Sequence, residues 1–186
     1  PVGQSPDDWT LVFTDEFDGD QLDEDVWGYQ NGAWGASNVQ NCYIPENSEV
    51  RNGSLVITSK YEPGYSCGRA GTRDFTSGFV QTKNKRAWTY GYFEVSAKLP
   101  ASDSTWPAFW LSPNVNTYGE WPKSGEIDVF EAKGHDQTTA YADAHWGLSE
   151  EVKRNWTEAY DIGDFTNWHT YGLSWKEGQL DYYIDG

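Results

Sequence analysis

The chain has 186 residues, of which 29 are Asp or Glu and 13 are Lys or Arg, so its formal net charge at pH 7 is −16. A surface this negative repels phosphate backbones and anionic lipid headgroups, which argues against nucleic acid and membranes as partners. No apolar run approaches the roughly 20 residues that are needed to cross a bilayer. The length predicts a single domain, residues 1–186.

Glycine and proline occur along the whole chain and separate short segments that are rich in β-branched and aromatic residues. This pattern predicts an all-β fold in which two antiparallel sheets form a sandwich. A loop or a short helical turn is expected over residues 149–159, because charged residues lie on most helical faces there. The predicted strands are, in chain order, Leu55–Thr58, Gly78–Thr82, Gly91–Lys98, Ile127–Phe130, Thr170–Trp175 and Leu180–Ile184.

The two cysteines, Cys42 and Cys67, do not have the spacing of a metal site. Two interpretations remain open at this point. Both residues are free thiols, or they form one disulfide that closes a loop between neighbouring strands. The disulfide would fit an exported protein.

The last predicted strand, Leu180–Ile184, is followed by Asp185 and Gly186, a dipeptide that is typical of a tight hairpin turn. The partner strand of such a hairpin would follow Gly186. Because an unpaired aromatic edge strand is an aggregation hazard, we expect the domain to lack its C-terminal strands in this chain.

Three carboxylates, Glu126, Asp128 and Glu131, stand in an otherwise apolar and β-prone segment. On a regular strand Glu126 and Asp128 share one face, whereas Glu131 points to the other side. One extra residue near Val129 or Phe130, a β-bulge, would bring Glu131 back to the first face.

Carboxyl groups that lie this close cannot all ionise at ordinary pKa values. One stays protonated and can donate a proton, while another stays ionised and can attack, as in a retaining glycoside hydrolase, where the two groups are about 5–5.5 Å apart. The alternative is a solvated edge strand with acidic outward positions, which is common in so negative a chain.

The carboxylate segment resembles the bulged signature of glycoside hydrolase family 16, Glu-X-Asp-X-X-Glu, where X is any residue. The resemblance covers nearly the entire chain. Further segments are similar to the family in order and spacing: Phe13–Gly19, Phe75–Gly78, Thr89–Glu94, Leu99–Pro100, Trp106–Leu111, Tyr118–Pro122 and Trp168–Trp175.

The resemblance implies a β-sandwich of the concanavalin A-like jelly-roll type with a concave substrate cleft, and hydrolysis with retention of anomeric configuration. It also implies that Glu126 is the nucleophile, Glu131 the general acid/base and Asp128 an assisting carboxylate between them. We expect Asp128 to hydrogen-bond Glu126 and to steady its charge. No cofactor is expected to be required for catalysis.

Aromatic rings bind the apolar C–H faces of sugars, while polar neighbours bind the hydroxyl groups. The resemblance favours Trp106, Trp110 and Trp121 as substrate-binding residues, although a single Trp more often packs in a core. Arg86 and His145 are candidates for hydroxyl contacts and for tuning the acid/base pair, although a lone His is more often structural.

The segments Trp106–Trp110 and Tyr118–Pro122 look most like those of laminarinases, and the negative charge disfavours a sulfated substrate. The laminarinase stretch Trp-Gly-Asn-Asn-Glu-Leu-Gln is matched only in part by Trp34–Gln40, where Asn38 keeps one candidate sugar contact. We therefore expect endo-acting cleavage of β-1,3-glucan. The alternatives are a hydrolase of a marine galactan such as agar, porphyran or carrageenan, and a non-catalytic glucan-binding module.

The resemblance also implies a structural Ca²⁺, held by oxygen ligands far from the catalytic residues. By motif, Glu16 and the carbonyl group of Gly53 are the candidate ligands, and a third would come from a C-terminal strand. We expect a secreted or extracellular monomer whose partner is a polysaccharide, without a nucleic acid or membrane partner.

Overall fold

The computed structural model describes residues 9–34 and 39–186. Strands make up the regular structure of these residues, apart from two short 3-10 turns, Pro45–Asn47 and Gly68–Ala70. The described chain divides into two compact units. Of the described residues, the small unit comprises residues 11–34 and 39–87, and the large unit comprises residues 9–10 and 88–186. The all-β prediction is confirmed.

The strands of the small unit are β1 (Gly28–Tyr29), β2 (Asn41–Tyr43), β3 (Ser48–Val50), β4 (Leu55–Ile57), β5 (Lys60–Ser66), β6 (Thr72–Ser77) and β7 (Val80–Gln81). They form three small sheets, in which β1 pairs with β7, β3 pairs with β4, and β6 lies between β2 and β5. All of these pairs are antiparallel except β2 with β6, which is parallel. The long connection between β2 and β6 allows a parallel crossover.

A disulfide between Cys42 and Cys67 cross-links the small unit, with Cα atoms 5.7 Å apart. Cys42 lies in β2, and Cys67 follows β5 immediately before the turn Gly68–Ala70. Both side chains are buried. Of the two interpretations that the sequence leaves open, the structure selects the disulfide, which joins β2 to the connection between β5 and β6.

The strands of the large unit are β8 (Gly91–Ala97), β9 (Ala108–Leu111), β10 (Glu126–Ala132), β11 (Thr139–Gly147), β12 (Lys153–Asp161), β13 (His169–Lys176) and β14 (Gln179–Ile184). They form two antiparallel sheets, with strand orders β12-β11-β10-β9 and β14-β13-β8. The six strands predicted from the sequence correspond to β4, β7, β8, β10, β13 and β14.

The core of the large unit lies between its two sheets. Phe130 of β10 packs on Tyr171 of β13, with ring centroids 4.2 Å apart. One face of β10 thus supplies core side chains, and its other face is left for polar residues. The remaining buried core residues are Leu99, Val129, Ala132, Ala140, Phe165 and Leu173.

Residues 153–161 form strand β12, so the prediction of a loop or helical turn over residues 149–159 is wrong for most of that segment. β12 pairs with β11 along its whole length, from Lys153 opposite Gly147 to Asp161 opposite Thr139. It is the edge of its sheet and exposes side chains on both faces, so its sequence shows no alternation. Pairing with β11, which a local pattern does not record, determines its conformation.

Within residues 9–34 and 39–186, no helix is long and apolar enough to cross a membrane. The single-domain organisation and the absence of C-terminal strands stay predictions.

Candidate active site

A β-bulge in β10 places the three predicted carboxylates on one face. Between Asp128 and Glu131 the strand contains one residue more than the facing stretch of β11, which runs from Asp143 to Tyr141. The same register shift separates β10 from β9. Glu131 therefore returns to the face of Glu126 and Asp128, and the predicted bulge is confirmed.

Three rows of side chains cross the sheet on this face, because directly paired residues of antiparallel strands point to the same side. Asp128 is 1% exposed and Asp143 is 4% exposed, so the middle row holds two carboxyl groups that are withdrawn from solvent. The rows are Glu126, His145 and Asn155; Trp110, Asp128, Asp143 and Thr157; and Ala108, Glu131, Tyr141 and Ala159.

Asp143 is a site residue that the sequence analysis missed. It stands two residues before His145 in an Ala-rich strand, and an acid among small apolar residues is the signal that could have found it. The hydroxyl group of Thr157 donates a hydrogen bond to Oδ1 of Asp143. The phenol of Tyr182 donates to its backbone carbonyl at 3.1 Å. Asp143 is thus held by groups from β12 and β14.

The loop that precedes β10 is fixed by local contacts. The hydroxyl of Ser124 donates to the carbonyl of Gly119 at 2.8 Å and accepts the N–H of Tyr118 at 3.1 Å. Gly125 has a φ of 84°, in the left-handed region that favours glycine, where the loop enters the strand. These contacts hold Trp121 close to the first residue of β10.

Trp121 contacts Glu126 from this loop. Its indole Nε1 donates a hydrogen bond to Oε2 of Glu126 at 2.5 Å, and its ring is 40% exposed. The ammonium group of Lys153 lies 5.4 Å from the ring centroid. The predicted aromatic residue therefore provides a polar contact to the carboxylate as well as an apolar surface.

Burial raises the pKa of Glu126 to about 7, and the negative charge of Asp128 acts in the same direction. The hydrogen bond from Trp121 and the neighbouring His145 lower this pKa. The indole N–H is a contact that favours ionised Glu126, and the assisting role of Asp128 stays a prediction.

Burial also raises the pKa of Glu131, to about 8, and the negative charges of Asp128, Asp143 and Glu126 add to this effect. The pKa of Asp128 is raised by burial, while His145 acts in the opposite direction. The pKa of Glu131 thus lies above that of Glu126, so Glu131 is the carboxyl group that holds its proton to higher pH.

His145 lies beside Asp128, with Nε2 of the ring 3.4 Å from Oδ2 of the carboxylate. This distance fits an ion pair better than a short hydrogen bond. The ring centroid of Trp121 is 6.0 Å away. The neighbouring Asp128 raises the pKa of His145, and a protonated His145 offsets part of the negative charge of the cluster.

One face of the sheet thus combines a carboxyl group that keeps its proton near neutral pH with a carboxylate that ionises at lower pH. Such a pair can donate a proton to a leaving oxygen atom and attack carbon as a nucleophile.

The same residues lie within a match to a known family. The model of glycosyl hydrolases family 16 matches residues 34–186, which include both sheets of the large unit. The chain belongs to glycosyl hydrolases family 16.

Several relatives in this family are similar over most of the chain. The beta-glucanase of Rhodothermus marinus is 33% identical over 187 residues, which cover 95% of this chain and 63% of the relative. A glucan endo-1,3-beta-glucosidase of Cryptopygus antarcticus is 33% identical over 185 residues, which cover 95% of this chain and 67% of the relative. The solved structure of the laminarinase catalytic domain from Thermotoga maritima matches this chain with a TM-score of 0.83 and 34% sequence identity. The match covers 96% of this chain and 74% of the Thermotoga maritima chain.

Two other relatives are less similar. Beta-porphyranase B of Zobellia galactanivorans is 26% identical over 204 residues, which cover 98% of this chain and 68% of the relative. The beta-1,3-glucan-binding protein of Penaeus monodon is 28% identical over 232 residues, which cover 97% of this chain and 63% of the relative. The chain thus spans about two thirds of the length of the curated relatives named here.

The other predicted substrate residues are divided between the two units of this family 16 chain. Trp110 of β9 lies beside Asp128 on the carboxylate face, and Trp106 is exposed just before β9. Arg86 lies exposed in the small unit, after β7. Asn38 lies outside the described residues. The substrate contacts of all of these residues, and those of Trp121 and His145, stay predictions.

The candidate calcium ligands lie in the small unit. Glu16 is exposed and accepts a hydrogen bond from the hydroxyl of Thr14 at 2.6 Å, and Gly53 is exposed at a turn with a φ of 69°. Their oxygen atoms suit Ca²⁺, but two donors are few for an ion that takes about six to eight. In the part of the chain that the structure describes, no group of three or more His, Cys, Asp or Glu could hold a metal. The calcium site stays a prediction.

Proposed function

We propose that the chain is a retaining, endo-acting glycoside hydrolase that cleaves β-1,3-glucan of the laminarin type. The observation that carries this proposal is the bulged strand β10, which sets Glu126 and Glu131 on one face with different proton affinities. A double-displacement hydrolase requires such a pair, whereas a recognition module has no use for it.

In the first step, the ionised carboxylate of Glu126 attacks the anomeric carbon of the bound sugar. The bond from this carbon to the glycosidic oxygen breaks, and Glu131 donates its proton to the departing oxygen. The products are a glycosyl ester on Glu126 and a neutral alcohol at the end of the leaving chain. The indole N–H of Trp121 orients the attacking carboxylate.

In the second step, Glu131 is ionised and removes a proton from a water molecule. The water oxygen displaces Glu126 from the anomeric carbon, so two inversions give net retention. The nearby charges of Asp128 and Asp143 favour the return of a proton to Glu131, which makes it an effective base at this stage.

Three observations support a neutral β-1,3-glucan as the substrate. The Cryptopygus antarcticus relative is named as a glucan endo-1,3-beta-glucosidase, and the Thermotoga maritima structure as a laminarinase. The exposed rings of Trp106 and Trp121 offer apolar surfaces to sugar rings. The net charge of −16 disfavours a sulfated galactan.

The same proposal includes an exported protein that acts as a monomer on its polysaccharide. The buried disulfide between Cys42 and Cys67 supports export, because disulfides persist in oxidising compartments and are rare in reducing ones.

The test is the release of reducing sugars from laminarin, measured beside agarose, κ-carrageenan and mixed-linkage β-glucan. We expect rapid release from laminarin, and a β-anomer as the first product in ¹H NMR spectra recorded before mutarotation. Release from agarose or κ-carrageenan alone would instead indicate a galactan hydrolase, and binding without release would indicate a recognition module.

Glu126→Gln and Glu131→Gln test the two roles. Loss of the general acid is expected to reduce turnover by about 10²–10⁴-fold, and loss of the nucleophile to abolish the double displacement. Glu120→Gln is the matched control. Glu120 is an exposed acid of the loop that precedes β10, and its Oε2 accepts a hydrogen bond from Asn116 at 2.9 Å. Near-wild-type turnover in a folded Glu126→Gln or Glu131→Gln variant would contradict the assignment.

A further inference from the structure

Asp143 adds a fourth carboxyl group to the face that holds Glu126, Asp128 and Glu131. It is the direct cross-strand partner of Asp128, and Cβ atoms of such partners lie about 4.5–5.5 Å apart. Like charges at directly opposed positions destabilise a sheet. Among the described residues, the ion pairs do not include Asp143. A second buried acid opposite Asp128 therefore has a cost that sheet formation does not explain.

Two hydrogen bonds in series fix the carboxyl group of Asp143. The amide Nδ2 of Asn155 can only donate, and it donates to Oγ1 of Thr157 at 3.0 Å. The hydroxyl hydrogen of Thr157 is then directed to Oδ1 of Asp143, which accepts it. Residues of β12 therefore hold this carboxyl group in place on the face of the sheet.

Asp143 is placed to act on Glu131 through its charge. The two residues belong to adjacent rows of the same face, since Tyr141, the partner of Glu131, is two residues from Asp143 on β11. The other titratable or charged groups around this pair come from β10, β11, β12 and β14. They are Glu126, Asp128, Tyr141, His145, Lys153 and Tyr182, together with Lys133 immediately after β10, whose ammonium group lies 4.7 Å from the ring centroid of Tyr141.

We propose that Asp143 is a positioning residue of the hydrolase, whose negative charge keeps the proton on Glu131 until it is passed to the leaving oxygen. This inference rests on the proposed role of Glu131 as the general acid. It adds a residue that touches neither the substrate nor the reacting atoms, and that acts through the carboxyl group of Glu131.

The experiment compares the pH dependence of kcat/KM on laminarin for the wild-type protein and Asp143→Asn. The substitution removes the charge and keeps an oxygen atom that can accept the hydrogen bond from Thr157. We expect the alkaline limb of the profile to move to lower pH by about one unit, with little change in KM.

Two further variants separate charge from structure. Asp143→Glu restores the charge and is expected to return the alkaline limb toward its wild-type position. Glu158→Gln is the matched control. Glu158 is an exposed residue of β12 that follows Thr157 and therefore points away from the face that holds the carboxyl groups. Loss of its charge is expected to leave the alkaline limb of the kcat/KM profile in place. Asp143→Ser replaces Asp143→Asn if that variant does not fold.

A direct titration makes the result independent of activity. The side-chain carboxyl group of Glu131 is followed by ¹³C NMR in protein labelled at glutamate, with Glu131→Gln used for assignment. A lower midpoint for Glu131 in Asp143→Asn supports the inference, even if laminarin is not hydrolysed and the proposed function fails. An unchanged midpoint, an unchanged alkaline limb, or an equal shift in Glu158→Gln would overturn it.

Discussion

At the scale of single residues, Glu126 and Glu131 differ because of the groups that contact them. Both are half-buried, and burial raises the pKa of each. Glu126 accepts the indole N–H of Trp121, whereas Glu131 faces the charges of Asp128 and Asp143. Two residues of one type on one strand are therefore suited to the two different roles that we propose for them.

Replacing Trp121 by Phe is expected to move the acidic limb of kcat/KM to higher pH by about one unit. The phenyl ring keeps the apolar surface but lacks the N–H that stabilises ionised Glu126, so the pKa of Glu126 rises. On the acidic side of the profile, kcat/KM of the variant is expected to be about tenfold lower than that of the wild-type protein at the same pH. The measurement is a full pH profile on laminarin.

Trp168→Phe is the control for this variant, because Trp168 is an exposed Trp of the same unit whose ring lies under Lys98 and not at the carboxylates. A uniform loss of activity at all pH values in Trp121→Phe, with the acidic limb unmoved, would mean that Trp121 does not influence the ionisation of Glu126.

The individual site residues differ in how far the sequence predicts them. Glu126, Asp128 and Glu131 are separated by few positions, so strand geometry and one bulge relate them directly. Asp143 and Trp121 contact these acids through cross-strand pairing and a loop turn. Their contacts depend on which segments become neighbours, and no local spacing encodes that choice.

At the scale of elements, the bulge in β10 is the feature that makes the site. A regular strand would direct Glu131 into the core between the two sheets of the large unit, where Phe130 and Ala132 lie. The extra residue reverses this alternation and keeps Glu131 with Glu126 and Asp128.

The start of β13 is tied to the end of β14 by His169 and Asp185, whose Nδ1 and Oδ2 atoms are 2.7 Å apart. Asp185 raises the pKa of His169, and the pKa of Asp185 is lowered by the backbone N–H of Thr170 and by His169. The contribution of His169 to stability is therefore fully present below its unfolded pKa of about 6.5, and is lost as the pH rises through its higher folded value.

Asp185→Asn is accordingly expected to lower the Tm at pH 5.5 by roughly 2 °C, and by less at pH 9, where His169 is neutral in both proteins. The effect is small because the Asp185 side chain is 53% exposed. Thermal unfolding followed by circular dichroism measures it, with Asp181→Asn of the same hairpin as the charge-matched control. An equal decrease in Tm at both pH values would show that the ion pair makes no contribution.

At the scale of the whole molecule, the protein is expected to be monomeric. The edge strand β12 carries Lys153, Arg154 and Glu158, and charged side chains on an edge oppose pairing with a second sheet. The net charge of −16 adds repulsion between copies. Light scattering coupled to size-exclusion chromatography is expected to give a mass near 21.1 kDa, and twice this mass would contradict the prediction.

The sequence by itself determined the all-β class, six of the strands, the bulge and the three carboxylates of this family 16 chain. These features follow from the two-residue period of strands and from short spacings, which act between residues close in the chain. The tertiary structure decided the strand β12, the disulfide between Cys42 and Cys67, and the positions of Asp143 and Trp121 beside the carboxyl groups of β10. Each of these features depends on contacts between side chains or strands that only the folded chain brings together. The free energy of those long-range contacts is not encoded in local sequence patterns.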